Sequence, residues 1–160
     1  MYLKYFVYVS SVNNLSDARY CSGMFVDYIG FNFDENSKNH ITIEKFNEIK
    51  NWINGPKIVG EFGNSSWSHT RDYLTEIDVD YISINYHFNN IKSLKKKLII
   101  NIPDLNEVND NLEIITQNSS NIKAVTINEF DESKIKHIKI LRNHNVFICL
   151  LYTSPSPRDH

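Results

Sequence analysis

Apolar positions along this chain fall into two alternating kinds of segment. Nearly continuous apolar, β-branched and aromatic runs of strand length occupy residues 3–11, 26–33, 57–62, 79–86, 98–102 and 122–127, and another begins at Val146. Between them lie amphipathic segments of helical spacing. Ile43, Phe46, Ile49 and Ile53 share one face, as do Ile135, Ile138 and Leu141. Residues 15–21, 65–77, 89–97 and 105–117 complete the set of six expected helices, the fourth of them short and basic. Local chemistry marks the ends. Asn14 stands three residues before Asp17 as a cap for the first helix, and Gly23 closes it. Thr42 opens the second helix and Gly55-Pro56 stops it, and Ser65 or Ser66 opens the third. Strand starts recur about every twenty residues in strict alternation with helices, and joining parallel strands requires such a crossover. The prediction is an α/β domain with a parallel sheet of about seven strands. Periodicity alone does not choose between a singly wound barrel and a doubly wound sheet.

Composition narrows the class without identifying it. The 160 residues are 41% hydrophobic and 22% charged with a formal net charge of -2, an ordinary globular balance that favours one domain. No basic excess points to nucleic acid, no apolar run approaches the length of a membrane span, and no signal-peptide pattern opens the chain, so a cytoplasmic location is expected. Cys21 and Cys149 are too few and too far apart for a disulfide framework or a metal site. Cys21 reads as a buried helix residue, and Trp52 and Trp67 as helix packing residues. Lys95-Lys96-Lys97 reads as the basic end of the fourth helix, complementing its dipole. His137 and His144 share a helix face but lack a third ligand.

Three stretches carry a resemblance. The strand-to-helix signature Asn14-Leu15-Ser16-Asp17-Ala18, the strand Asp27-Tyr28-Ile29-Gly30-Phe31 and the strand Val59-Gly60-Glu61-Phe62-Gly63-Asn64 resemble, in order and spacing, the first helix and the second and third strands of the phosphoribosylanthranilate isomerase family. The resemblance spans residues 3–148, resting on motifs up to Tyr81 and on rhythm beyond. It implies a (β/α)8 TIM barrel, tryptophan biosynthesis, an Amadori-type isomerisation of a sugar phosphate, and no cofactor. Residues 149–159 resemble a translated sequencing-library adapter, with a Pro-Ser-Pro-Arg composition unlike what precedes it. The expectation is therefore a barrel domain over 1–148, cut off inside its seventh strand, followed by a non-native tail over 149–160. Such a fragment would leave its first and seventh strands with unpaired edges.

Barrel enzymes work at the C-terminal ends of their strands. The family's catalytic base is a cysteine at the end of the first strand, and Ser10 occupies that place here. A thiol of pKa about 8.5 can be tuned into a base, whereas a serine hydroxyl needs a partner base. The family's general acid is an aspartate at the end of the sixth strand. Rhythm puts Asn128 there, an amide with no proton to give, with Glu129 and Asp131 adjacent. The family's substrate-facing arginine after the second strand is replaced by Asn39, beside Lys38 and His40, and its fourth-strand histidine motif by Ser83-Ile84-Asn85-Tyr86. The resemblance thus implies an isomerase-like barrel with a degenerate site that could still bind a sugar phosphate through Lys38 and Asn39. Two alternatives stand beside it: a non-catalytic barrel binding an anionic metabolite or a protein partner, and a barrel enzyme using new residues such as Glu61 or Glu129.

Overall fold

A computed structural model of the chain describes residues 6–85, 94–102, 120–127 and 147–153, with isolated positions between them. Seven strands run in chain order around a closed barrel: β1 (Val7–Ser10), β2 (Tyr28–Asn32), β3 (Lys57–Gly63), β4 (Tyr81–Asn85), β5 (Lys97–Asn101), β6 (Ile122–Ile127) and β7 (Phe147–Thr153). Every neighbouring pair is parallel. Three helices are described: α1 (Leu15–Gly23), α2 (Ile43–Lys50) and α3 (Trp67–Leu74). The helices expected over 105–117 and 131–143 lie outside the described residues apart from isolated positions, as does most of the one over 89–97.

Closure corrects one expectation. The barrel is not left open between β1 and β7. These strands pair in parallel over four residues, from Val7 with Leu150 to Ser10 with Thr153. The backbone N–H and C=O groups of two would-be edges find partners in each other, which removes the liability of an open sheet. β7 runs on through Thr153.

The caps act where the sequence puts them. The Asn14 side chain accepts from the Asp17 amide at 2.8 Å, Thr42 accepts from Lys45 at 3.1 Å, and Ser66 accepts from His69 at 3.1 Å. The stop signals differ in detail. α1 ends at Gly23 as expected, but the left-handed residue that follows is Phe25, with φ 58°. α3 ends at Leu74, before the expected Ile77. Lys97 opens β5 and donates to the Ser120 carbonyl at 2.9 Å, and Lys96 donates to the Val79 carbonyl at 2.9 Å, so both bind loop carbonyls rather than close a helix. Trp52 lies beyond α2, mostly exposed with Arg19 over its ring, whereas Trp67 packs on the core as expected.

Two apolar layers follow from strand alternation. Outward-facing Ile29, Phe31, Ile58, Ile82, Leu98 and Ile100 bury against the helices, where Phe46 sits edge-on to Phe31 and Phe33 at 5.0 and 5.2 Å between ring centres. Inward-facing Tyr8, Tyr28, Val59, Ile99 and Ala124, with Phe6 and Tyr81, fill the lumen. A repeated pattern anchors the N-terminal end. Val26-Asp27-Tyr28-Ile29 and Val79-Asp80-Tyr81-Ile82 open β2 and β4 alike. Asp27 accepts the Val7 amide at 2.7 Å and Asp80 the Ile58 amide at 2.8 Å, so each aspartate stitches its strand to the start of the strand before it. Tyr28 and Tyr81 then meet edge-to-face in the lumen, 5.5 Å apart.

Candidate functional site

The inward alternation that gives aromatic residues at the N-terminal end gives a different set at the C-terminal end. Continuing it along each strand places Ser10, Asn32, Glu61, Ser83, Asn101 and Thr126 on the lumen face. Thr126 donates to the Asn101 side-chain oxygen at 3.1 Å, and Asn32 accepts from the Asp34 amide at 2.8 Å. Glu61 is the single ionisable side chain in this set.

Three features of the chain deliver the Glu61 carboxylate across the mouth. First, β3 carries an irregularity between Glu61 and Gly63 in its pairing with β4, where Gly63 adopts φ 51°. Such bulges re-aim a side chain beside a functional opening. Second, Gly30 lies on the intervening strand β2. A Cβ there would come within 2.5 Å of Glu61 Oε2 and 2.8 Å of the Tyr8 hydroxyl, so only glycine lets Glu61 reach over β2 to β1. Third, Ser11, the residue after β1, adopts φ 56°, a left-handed conformation that costs a non-glycine residue on the order of 1 kcal/mol. In that conformation the Ser11 amide donates to Glu61 Oε1 at 2.8 Å, while the buried Tyr8 hydroxyl donates to Oε2 at 2.5 Å. Burial outweighs the opposing hydrogen bonds from Tyr8 and Ser11, and the net effect raises the Glu61 carboxyl to about 7. No ion pair to Glu61 is present among the described residues.

Of the residues singled out in the sequence, Ser10 lies buried at the C-terminal end of β1, two residues along from Tyr8. Lys38 and Asn39 lie in the loop after β2, Lys38 exposed and the Asn39 amide bonded to the Ser37 hydroxyl at 3.2 Å. That loop is held by its own polar groups: His40 Nδ1 lies 2.8 Å from the Ser37 carbonyl, and Asn32 donates to the Ser37 hydroxyl at 3.2 Å. Asn128, Glu129, Asp131, His137 and His144 lie outside the described residues. Ser11, Tyr8 and Gly30 as partners of Glu61 were not read from the sequence. The signal available was Tyr8, Gly30 and Glu61 at inward positions of three consecutive strands, which only the register turns into contact.

Other candidates point elsewhere. A cavity of about 510 Å³ at the N-terminal end is lined by Phe6, Phe25, Tyr28, Lys57, Tyr81 and Lys123 among others, at the end of such barrels that serves stability. Burial raises the pKa of the Cys21 thiol, with the Asp17 charge adding to it, which disfavours the reactive thiolate. Among the described residues no three His, Cys, Asp or Glu side chains are grouped to hold a metal ion, and no helix is long and apolar enough to cross a membrane.

No protein-family model matches the chain, and no curated protein matches it in sequence. Solved structures do match in fold. A phosphoribosylanthranilate isomerase crystallised with reduced 1-(o-carboxyphenylamino)-1-deoxyribulose 5-phosphate superposes with a TM-score of 0.70 at 14% identity, covering 92% of this chain and 87% of that one. The phosphoribosylanthranilate isomerase of Thermotoga maritima gives 0.69 at 14% identity, covering 92% and 88%. Orotidine 5'-monophosphate decarboxylase from Methanocaldococcus jannaschii, with an inhibitor, gives 0.54 at 15% identity, covering 98% and 95%. At these identities the likeness is one of fold: a parallel α/β barrel like that of the phosphoribosylanthranilate isomerases.

Proposed function

We propose that this chain is a phosphoribosylanthranilate isomerase-like barrel that takes a phosphorylated sugar at its C-terminal mouth and has lost the chemistry of that isomerisation. The observation that carries the reading is Ser10, buried at the end of β1 where the resemblance puts a catalytic cysteine, in a barrel whose structural neighbours include an isomerase holding a deoxyribulose 5-phosphate derivative. Amadori isomerisation needs one group to remove a carbon-bound proton and another to protonate the ring oxygen. Each placed acid or base contributes roughly 10²–10⁴-fold. Ser10 supplies no base, and Asn128, if it holds the place of the acid, supplies no proton. Lys38 and Asn39 stand in the loop that would face the substrate's anionic end, where neither offers the forked donors of an arginine. On this reading the protein acts on or holds a small molecule without a cofactor, in the cytoplasm.

The test is complementation of a bacterial strain lacking phosphoribosylanthranilate isomerase, together with direct assay of the purified chain. The expected result is no growth with the natural sequence and growth with a Ser10→Cys, Asn128→Asp double variant. Growth with the natural sequence would overturn the loss of chemistry.

A further inference from the structure

We propose that Glu61 is the general base of a second chemistry in the same mouth, removing the proton next to the carbonyl of an open-chain sugar, with Tyr8 as its positioning residue. The inference rests on the sugar-phosphate reading for its substrate class, and on the geometry around Glu61 for everything else.

Structure alone does not call for a carboxylate at this place. A glutamine would accept the Ser11 amide on its oxygen and donate to the Tyr8 hydroxyl from its nitrogen, bridging β1 and β3 as well without bringing a charge into the lumen. What the carboxylate adds is a proton acceptor. Among the described residues each of its oxygens takes one hydrogen bond, from Ser11 and from Tyr8, which leaves lone pairs on both for a bound molecule. Its surroundings set its readiness to act. Tyr8 is fully buried and donates to it, the Ser11 amide fixes its other oxygen, and no cation is paired with it among the described residues. The strained Ser11 backbone, the β3 irregularity and the bare Cα of Gly30 all serve to bring this one group over the lumen. The remaining lining of hydroxyls and amides, including Ser10, Asn32 and Ser83, matches the hydroxyl groups of a sugar.

The step balances without an oxidant or reductant. Glu61 takes the proton from the carbon beside the carbonyl. The C–H electron pair becomes the new C=C bond, and the carbonyl π pair moves to oxygen, giving an enediol once that oxygen takes a proton from water. Return of the proton from Glu61 to the former carbonyl carbon, with loss of the other hydroxyl proton to water, gives the isomeric sugar. Among the described residues the titratable side chain in contact with Glu61 is that of Tyr8 on β1, and Asp34 lies beside Gly63, two residues further along β3. Tyr81 of β4 belongs to the opposite end of the lumen.

The experiment follows hydrogen–deuterium exchange at that carbon by proton NMR in D2O, with the full chain and two probes, D-ribulose 5-phosphate and D-ribulose. The natural protein is expected to exchange the phosphorylated probe, at a rate that rises as pH passes through about 7. Glu61→Gln, which keeps both hydrogen bonds, is expected to lose about 100-fold or more. Tyr8→Phe is expected to keep the exchange but move the pH midpoint upward, because it removes a bond that stabilises the carboxylate. Exchange by neither probe, or equal exchange by a folded Glu61→Gln variant, overturns the proposal. An unmoved midpoint in Tyr8→Phe overturns the role of Tyr8. Equal rates on the two probes would remove the phosphate from the reading above while leaving Glu61 in place.

Discussion

The two ends of one lumen contrast in what they are built from. At the N-terminal end Phe6, Tyr8, Tyr28 and Tyr81 pack ring against ring at 5.5–6.2 Å between centres, and two aspartates tie the strand starts together. At the C-terminal end the same strands, two or four residues further on, offer hydroxyls, amides and one carboxylate. The strands are the same, so the difference lies in which residues occupy the inward positions and in the backbone departures at Ser11 and Gly63 that bring Glu61 across the C-terminal end. One end gains from burying apolar area, about 25 cal/mol per Å². The other holds a charge-bearing group in a place where burial works against it.

The largest effect that could break this contrast is loss of the aromatic plug. Tyr28 is 5% exposed and touches Phe6, Tyr8 and Tyr81, so Tyr28→Ala should cost about 3–5 kcal/mol in a denaturant titration. A loss under 1 kcal/mol would mean that the N-terminal end is not where stability resides.

Glu61→Gln should act in the opposite direction and only in one range of pH. The folded carboxyl has its pKa raised to about 7 from an ordinary value of 4.5, so between those values the folded state holds a proton that the unfolded state releases. Its contribution is fully present below pH 4.5 and lost as pH rises through 7, a difference on the order of 3 kcal/mol. The variant should therefore match the natural protein near pH 4 and exceed it by about 1–3 kcal/mol at pH 8. Urea unfolding at the two pH values checks this.

Gly30→Ala should cost about 1–3 kcal/mol, since its Cβ meets Glu61 and Tyr8 inside contact distance. It should also separate those two groups, which the Tyr8 ring resonances would report. The smallest effect belongs to Asn14→Ala, about 1 kcal/mol for a lost helix cap, with no change in the pH dependence that Glu61 sets.

Much of the scaffold was legible in the residues. Strand and helix alternation, the caps at Asn14, Thr42 and Ser66, and the buried face of Phe46 and Ile49 are local, and each follows from periodicity or side-chain chemistry within one turn. What escaped was set by distant partners. The closure of β1 on β7 depends on register between residues more than 140 apart in sequence. Trp52 reads as core from its size, yet α2 stops at Lys50 and leaves it outside. Glu61 was visible as an acidic residue at a strand end, but its importance comes from Gly30 having no side chain and Ser11 turning left-handed, and neither property is a pattern in the local sequence.

The C-terminal end of the lumen differs from the other in holding a carboxyl poised near neutrality, and the most direct test is a carbon-13 NMR titration of the Glu61 side-chain carboxyl in the natural chain. A midpoint near 7, moving upward in Tyr8→Phe, is the expected result. A midpoint near 4.5 would show an ordinary solvated carboxylate and would contradict the contrast between the two ends.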